Sequence, residues 1–249
     1  MAQVAVMSPN GDVKKVDRDS KEGLAALRQM AALLLKAALK DQFKGIRFGE
    51  DKADEDGFYV DSDKDDQQVS VDQLPQLSDA INKMIKDNVK VEFEEADLDS
   101  ALAEVKDDQY SSALLKENAK DGKVPLYKVG NVSAVADADI LAYADDVKQL
   151  KLLSVAGAYW KGMSSNPMLQ RIYGTAFYKK SDLEADLKKR QEARERDHRV
   201  IGNQLDLFFV DPKVGAGLPY WMPKGATIRR TIERYIIDRE VADDYKHVY

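Results

Sequence analysis

Residues 2–40 read AQVAVMSPNGDVKKVDRDSKEGLAALRQMAALLLKAALK, and the two halves follow different rules. Val4 and Val6 alternate ahead of an Asn10-Gly11 pair, and Val13 and Val16 follow it. Asn-Gly accepts the positive φ of a tight turn, so residues 2–17 are predicted to form a β-hairpin. After it, Leu24, Leu27, Ala31, Leu34 and Ala38 recur at helical spacing. Asp19 or Ser20 is placed to cap that helix, and Glu22 lies three residues after Asp19. A helix is therefore predicted to end near Lys40 and to bury one face.

Working outward, the next segment is acidic: residues 50–66 hold nine carboxylates against two lysines. Inside it GFYVDSD, residues 57–63, alternates as a strand. The carboxylates lack the order of an EF-hand loop, so a solvated acidic loop is preferred over a calcium site. Residues 71–87 read as a helix, with Leu74, Leu77, Ile81 and Ile85 on one side. Residues 89–96 alternate as a strand and residues 98–105 read as a short helix. Residues 110–115 and 125–132 read as extended. Strands and helices are mixed without strict alternation, which makes the fold class α+β.

From Lys179 the texture changes. Eight basic and six acidic residues fall between Lys179 and Arg199, with Glu184–Lys188 and Glu192–Arg196 at i,i+4. One long ionic helix over residues 179–205, bridging domains, is expected. A Gly/Pro-rich loop over residues 211–226 follows, then an amphipathic helix with Ile228, Ile232, Tyr235 and Ile236 as its apolar stripe. His247, Val248 and Tyr249 read as the opening of a strand.

The whole chain is 249 residues long, enough for one or two domains. Its formal net charge of −6 argues against a strongly basic nucleic-acid sleeve but leaves room for a local basic face. It has no cysteine, which excludes disulfides, thiolate metal sites and cysteine nucleophiles. It has two histidines, His198 and His247, so any histidine-based triad must use one of them. The longest apolar run, near residues 30–39, is interrupted by Lys36 and is too short to span a bilayer. No secretory signal is read at the N-terminus. A cytoplasmic protein with no membrane contact, no metal and no cofactor is expected. Gly215-Ala216-Gly217 is read as loop glycines in preference to a phosphate cradle.

The strings AGAYW at 156–160, MLQRIYGTAF at 168–177 and RDHR-x-I-G at 196–202 are long and unusual. They closely resemble bacterial threonyl-tRNA synthetases. DRDSKEGLAALR at 17–28 and GFYVDSD resemble the family's editing domain, and LPYWMPKGATIRRTIERYI at 218–236 resembles the start of its class II catalytic domain. The resemblance implies four parts. Residues 1–19 are a hairpin, at most a remnant of the N-terminal TGS domain. Residues 20–178 are an editing-type domain, the second additional domain shared with alanyl-tRNA synthetases. Residues 179–205 are a linker helix, and 206–249 a truncated start of the catalytic domain. The family's ATP-binding motifs and zinc ligands find no counterpart, so no aminoacylation is expected of this chain.

The resemblance also implies an editing site, with an H-x-x-x-H pair on the first helix and a C-x-x-x-H pair on a later loop. Those groups would manage water and protons at a seryl ester. Here the helix positions fall on Gln29 and Leu33. The loop positions fall at Val135 or Ala136 and at Asp139 or Ile140, with Ala136 and Ile140 taken as the degenerate pair. A family lysine is replaced by Ser111. No catalytic residue is therefore assigned.

Lys161, Arg171, Lys179, Lys180 and Arg199 are the candidate contacts to tRNA phosphates, weighed against plain solubility and helix pairing. Tyr159 and Trp160, after an AGA turn, are read as core in preference to base-stacking. His198 and His247 are read as structural. Three functions stay open: a weak threonine-tRNA acceptor-binding module with a dead editing site; a residual seryl-tRNA hydrolase using Asp137 or Asp139; and an association piece pairing with itself or a full synthetase through the C-terminal helix.

Overall fold

The computed structural model describes every residue except 1, 65–67, 212, 214, 216, 247 and 249. The chain divides into two compact units, Met1–Glu184 and Ala185–Tyr249.

The first unit opens with the hairpin, β1 (Gln3–Met7) and β2 (Val13–Asp17), registered Val4↔Val16. Gly11 takes φ +85 in its turn. β1 also pairs antiparallel with the short strand at Ile140–Leu141 (β8), so Val4, Val6 and Val16 enter the same core as the helix that follows. That helix, α1 (Lys21–Gln42), is capped by Ser20, whose Oγ accepts from the Gly23 N–H at 3.0 Å.

A four-stranded antiparallel sheet lies in the order β3 (Arg47–Asp54), β4 (Gly57–Asp63), β10 (Met168–Phe177), β9 (Gln149–Tyr159). The expectation of a solvated loop ahead of the 57–63 strand is corrected, because residues 50–54 belong to β3. The β3–β4 turn is closed by Asp54, whose Oδ1 accepts from the Asp56 and Gly57 N–H groups. Gly57 has φ +151, and a Cβ there would lie 2.2 Å from the Gly174 carbonyl oxygen, so only glycine fits. Residues 156–158 lie inside β9 and form no turn, a second correction.

α1 meets β3, β4 and β10 of this sheet, β8 and β2 of the first, and α2 (Leu74–Lys86). It is consequently buried along every residue from Ala26 to Leu39, where one buried face was expected. Alanines at 26, 31, 32, 37 and 38 allow the close approach on all sides. Full burial of each leucine contributes about 1.5–3 kcal/mol.

The third sheet is β5 (Val91–Asp97), β6 (Lys123–Val129) and β7 (Val132–Val135), with helices α3 (Leu98–Glu104) and α4 (Gln109–Asn118) between β5 and β6 in the chain. The extended reading of 110–115 is overturned by α4. Asp108 caps it, accepting from the Tyr110 and Ser111 N–H groups, and its other oxygen accepts from the Phe48 N–H at 2.9 Å. A cap that also ties down a strand outweighs the local alternation.

The boundary between the units falls within α5 (Lys180–Glu195). The single helix expected over 179–205 is two, α5 and α6 (His198–Gln204). Asp197 separates them in an extended conformation and caps α6, accepting from the Arg199 N–H at 2.8 Å. In the second unit β11 (Phe208–Val210) pairs with β12 (Pro219–Trp221), so part of the expected Gly/Pro loop is a strand. The final helix, α7 (Pro223–Ala242), exposes Ile228, Ile232, Tyr235 and Ile236 within this unit. The predicted strand at His247 and Tyr249, and Ala216 of the glycine triplet, lie outside the described residues.

Candidate functional site

The first unit contains a cleft of about 560 Å³. One wall comes from α1, β3 and β4 through Gln29, Lys36, Asp51 and Tyr59. The other comes from α3, α4, β6 and β7 through Ala101, Ser111, Leu115 and Leu126, and the segment after β7 brings in Asp137 and Asp139.

Gln29 and Lys36 stand seven residues apart on α1, two turns along one face. Both reach Asp51 on β3. Gln29 Nε2 donates to Asp51 Oδ2 at 2.7 Å, and Lys36 Nζ donates to Asp51 Oδ1. The Lys36 side chain is 6% exposed and that of Asp51 12%, so this ion pair is buried. The Lys36 ammonium also lies 5.7 Å from the Phe48 ring centre. Such a pair is tolerated only because each charge meets the other and Gln29 adds a further donor.

Among the described residues Asp137 has no such partner. Its carboxyl is open to the cleft, yet the walls displace its water and push its pKa above the ordinary carboxylate value. The negative charge of Asp51 acts in the same direction, and Lys36 opposes it. Asp139 instead pairs with Lys14 at 2.9 Å, and Lys14 also holds Glu22 at 2.6 Å.

Of the positions to which the resemblance points, Gln29 lines the cleft, as do the loop alternatives Val135 and Asp139, whereas Leu33, Ala136 and Ile140 are buried and do not. Ser111 lines the cleft and donates to Asp108 Oδ2 at 2.8 Å. Sequence reasoning missed the Lys36–Asp51 pair. Its signal was present, since a cation in the middle of the apolar run at 30–39 must find a buried partner.

All five candidate phosphate contacts already face carboxylates. Arg171 is bidentate on Asp61, at 2.7 and 2.8 Å, and lies 3.7 Å from the Tyr59 ring centre. Lys161 pairs with Glu117, Lys179 with Asp19 at 3.0 Å, Lys180 with Glu184 at 3.6 Å and Arg199 with Asp197 at 2.8 Å. Trp160 is buried against Tyr110 and Leu169, but its neighbour Tyr159 is exposed, so the core reading fits the first only. His198 is exposed, 3.9 Å from Asp197, and His247 lies outside the described residues. Among the described residues no group of three or more His, Asp or Glu is placed to hold a metal, and no helix is long and apolar enough to cross a membrane.

No family model matches the chain. Curated relatives match nearly all of it. A threonine–tRNA ligase of Levilactobacillus brevis is 61% identical over 244 residues, covering 98% of this chain and 37% of the relative. Those of Pediococcus pentosaceus and Lactiplantibacillus plantarum are 55% and 54% identical, each covering 98% of this chain and 38% of the relative. The chain thus spans under two-fifths of the length of these relatives. At identities above one half over nearly all of its length, the chain is homologous to a part of the bacterial threonine–tRNA ligases.

Proposed function

We propose that this chain is an editing-type module of a threonyl-tRNA synthetase whose cleft receives the acceptor end of tRNA but whose hydrolytic site is degenerate. The observation that carries the reading is the α1 face. Gln29 is spent on Asp51 and Leu33 is sunk in the core, where the resemblance calls for two imidazoles. Ester hydrolysis needs a polarised water and a group to take its proton. An amide positions water but accepts no proton at neutral pH, and leucine does neither. Loss of one general base typically lowers a rate by ~10²–10⁴-fold. The test is incubation with seryl-tRNA(Thr), measuring binding and ester loss together. Weak binding with little ester loss is expected, and robust hydrolysis overturns the degenerate-site reading. Histidines introduced at positions 29 and 33 form the gain-of-function arm.

Two observations favour further readings. The raised pKa of Asp137 brings it closer to neutrality than a free carboxylate and makes it the group to serve a residual seryl-tRNA hydrolase. Asp139, tied to Lys14, is less suited. Hydrolysis abolished by Asp137→Ala but not by Asp139→Ala would promote that activity. The exposed stripe of Ile228, Ile232, Tyr235 and Ile236 on α7 favours association with a second copy or a full synthetase, tested by sedimentation of the wild type against Ile232→Glu.

A further inference from the structure

We propose that the outer edge of β9 is an interface for a second copy of this chain, whose β9 pairs with it antiparallel about a two-fold axis and joins two four-stranded sheets into one. The surface is separate from both the cleft and the α7 stripe.

The first observation is that this edge is undefended. A strand at the border of a sheet presents a row of N–H and C=O groups, and folded chains shield such a row with charge, brevity or a covering element. Among the described residues the other border strands carry such a shield. β2 has Lys14 and Lys15, and β5 has Glu92, Glu94 and Glu95. β7, β8, β11 and β12 are short. β3 is charged, and the cap of α4 takes up its Phe48 N–H. β9 pairs with β10 on one side, and among the described residues no backbone hydrogen bond reaches its other side. Residues 152–159 hold no charge and no proline, in a chain that is 33% charged. Leu153 is bulged out of the ladder, and beyond it residues 154–159 run in regular register, with Ala156 and Gly157 exposed.

The second observation is an apolar pad continuous with that edge, and it names the occupant. Tyr159 and Met168 face each other across the β9–β10 ladder and are both exposed. Gly157 lets Met168 lie over the strand, because a Cβ there would fall 2.9 Å from the Met168 Sγ. A fitting partner strand brings no charge and an apolar flank of its own, and residues 154–159 of a second copy bring both. Residues opposite one another in a ladder share a face, so a two-fold axis must set one residue against itself. With Gly157 on the axis, Val155 of each copy stands opposite Tyr159 of the other, and Ala156 opposite Ala158. The first is a β-branched–aromatic pair, a favourable combination made twice. A strand edge with one such pad is small against the roughly 1,200–2,000 Å² of a stable interface, so the dimer is weak, with a Kd of about 10–100 µM.

The test is sedimentation of the full chain over a range of concentrations. The wild type is expected to dimerise at the upper end, and so is Ile232→Glu, which disables the α7 stripe. Ala156→Lys and Ala156→Glu each set like charges on neighbouring positions either side of the axis, and each should weaken the dimer about three- to tenfold. An equal mixture of the two should restore it, because the mixed dimer sets Lys against Glu. A chain monomeric at every concentration overturns the proposal. So does a dimer lost to Ile232→Glu, a dimer indifferent to charge at position 156, or a mixture as weak as its parts. If a position-156 variant fails to fold, as its melting curve will show, amide exchange of the wild type decides. Protection of residues 154–159 that rises with protein concentration supports the pairing, and unchanged exchange overturns it. A synthetic peptide of residues 152–159 that protects this edge while the chain stays monomeric assigns it to a foreign strand and overturns the second copy.

Discussion

Asp61 and Asp137 are carboxylates of the same unit in opposite circumstances. The Asp61 side chain is wholly buried, and the Arg171 guanidinium meets both of its oxygens, so the pair is complete. Asp61→Ala is expected to cost about 3–5 kcal/mol, because it leaves Arg171 uncompensated. Asp61→Leu combined with Arg171→Met should recover much of that, as read from denaturant midpoints of the three proteins. A single variant as stable as the wild type would show the pair to be dispensable. Asp137 faces Asp51 and Glu50 across the cleft, and the folded protein holds its proton more tightly than the unfolded chain does. Stability is therefore undiminished below the ordinary carboxylate pKa of about 3.9. It falls as the pH rises through that value to the raised one. Asp137→Asn is expected to raise the midpoint at pH 7 and to leave it unchanged at pH 3. A gain that persists at pH 3 would remove charge as its cause.

At the scale of elements, α4 is the wall of the cleft most dependent on one residue. Asp108 caps it, anchors the Phe48 N–H of β3 and accepts from the Ser111 hydroxyl. Asp108→Ala is expected to lose about 0.5–2 kcal/mol from the cap. It should also raise amide exchange at Phe48 and in the first turn of α4 ahead of the other walls. Uniform exchange would show α4 to be held by packing alone. The same helix shows where reading from sequence stops. The hairpin at 2–17, the helix of α2, the strand of β5 and the short helix of α3 are legible because turn residues and periodicity are local. α4 was obscured because Asp108 gains its force from Phe48, sixty residues away. Residues 50–54 look like a solvated loop because the groups that bury Asp51 stand on α1, at sequence separations of 15 and 22. α1 carries a one-sided repeat, but sheets built from chain on either side of it cover the rest. Of the candidate site, Gln29 was named from the sequence, whereas the Lys36–Asp51–Gln29 floor needed the fold.

At the scale of the molecule, among the described residues the buried apolar ones lie in the first unit, and in the second the buried positions are Gly202 and Gly225. Any tRNA that binds must also meet a chain of net charge −6. The five cations that are candidates for its phosphates are each engaged by a carboxylate, so every contact first gives up an ion pair. Lys179–Asp19 is the most readily exchanged kind, since both side chains are more than half exposed and such pairs are worth little. Arg171 is the least, because leaving Asp61 would strand a buried charge. Few phosphates are therefore neutralised. Each contributes roughly −0.7 to −0.9 to the slope of log affinity against log salt. Binding of tRNA(Thr) is expected to be weak, with a slope of about −2 to −3, and to fade above ~0.2 M salt. Asp19→Asn should strengthen it by freeing Lys179, with no loss of thermal stability beyond a fraction of a kcal/mol. Filter binding at several salt concentrations checks both statements together. Affinity that is tight and flat in salt, or unmoved by Asp19→Asn, would place the recognition away from these cations and on neutral contacts.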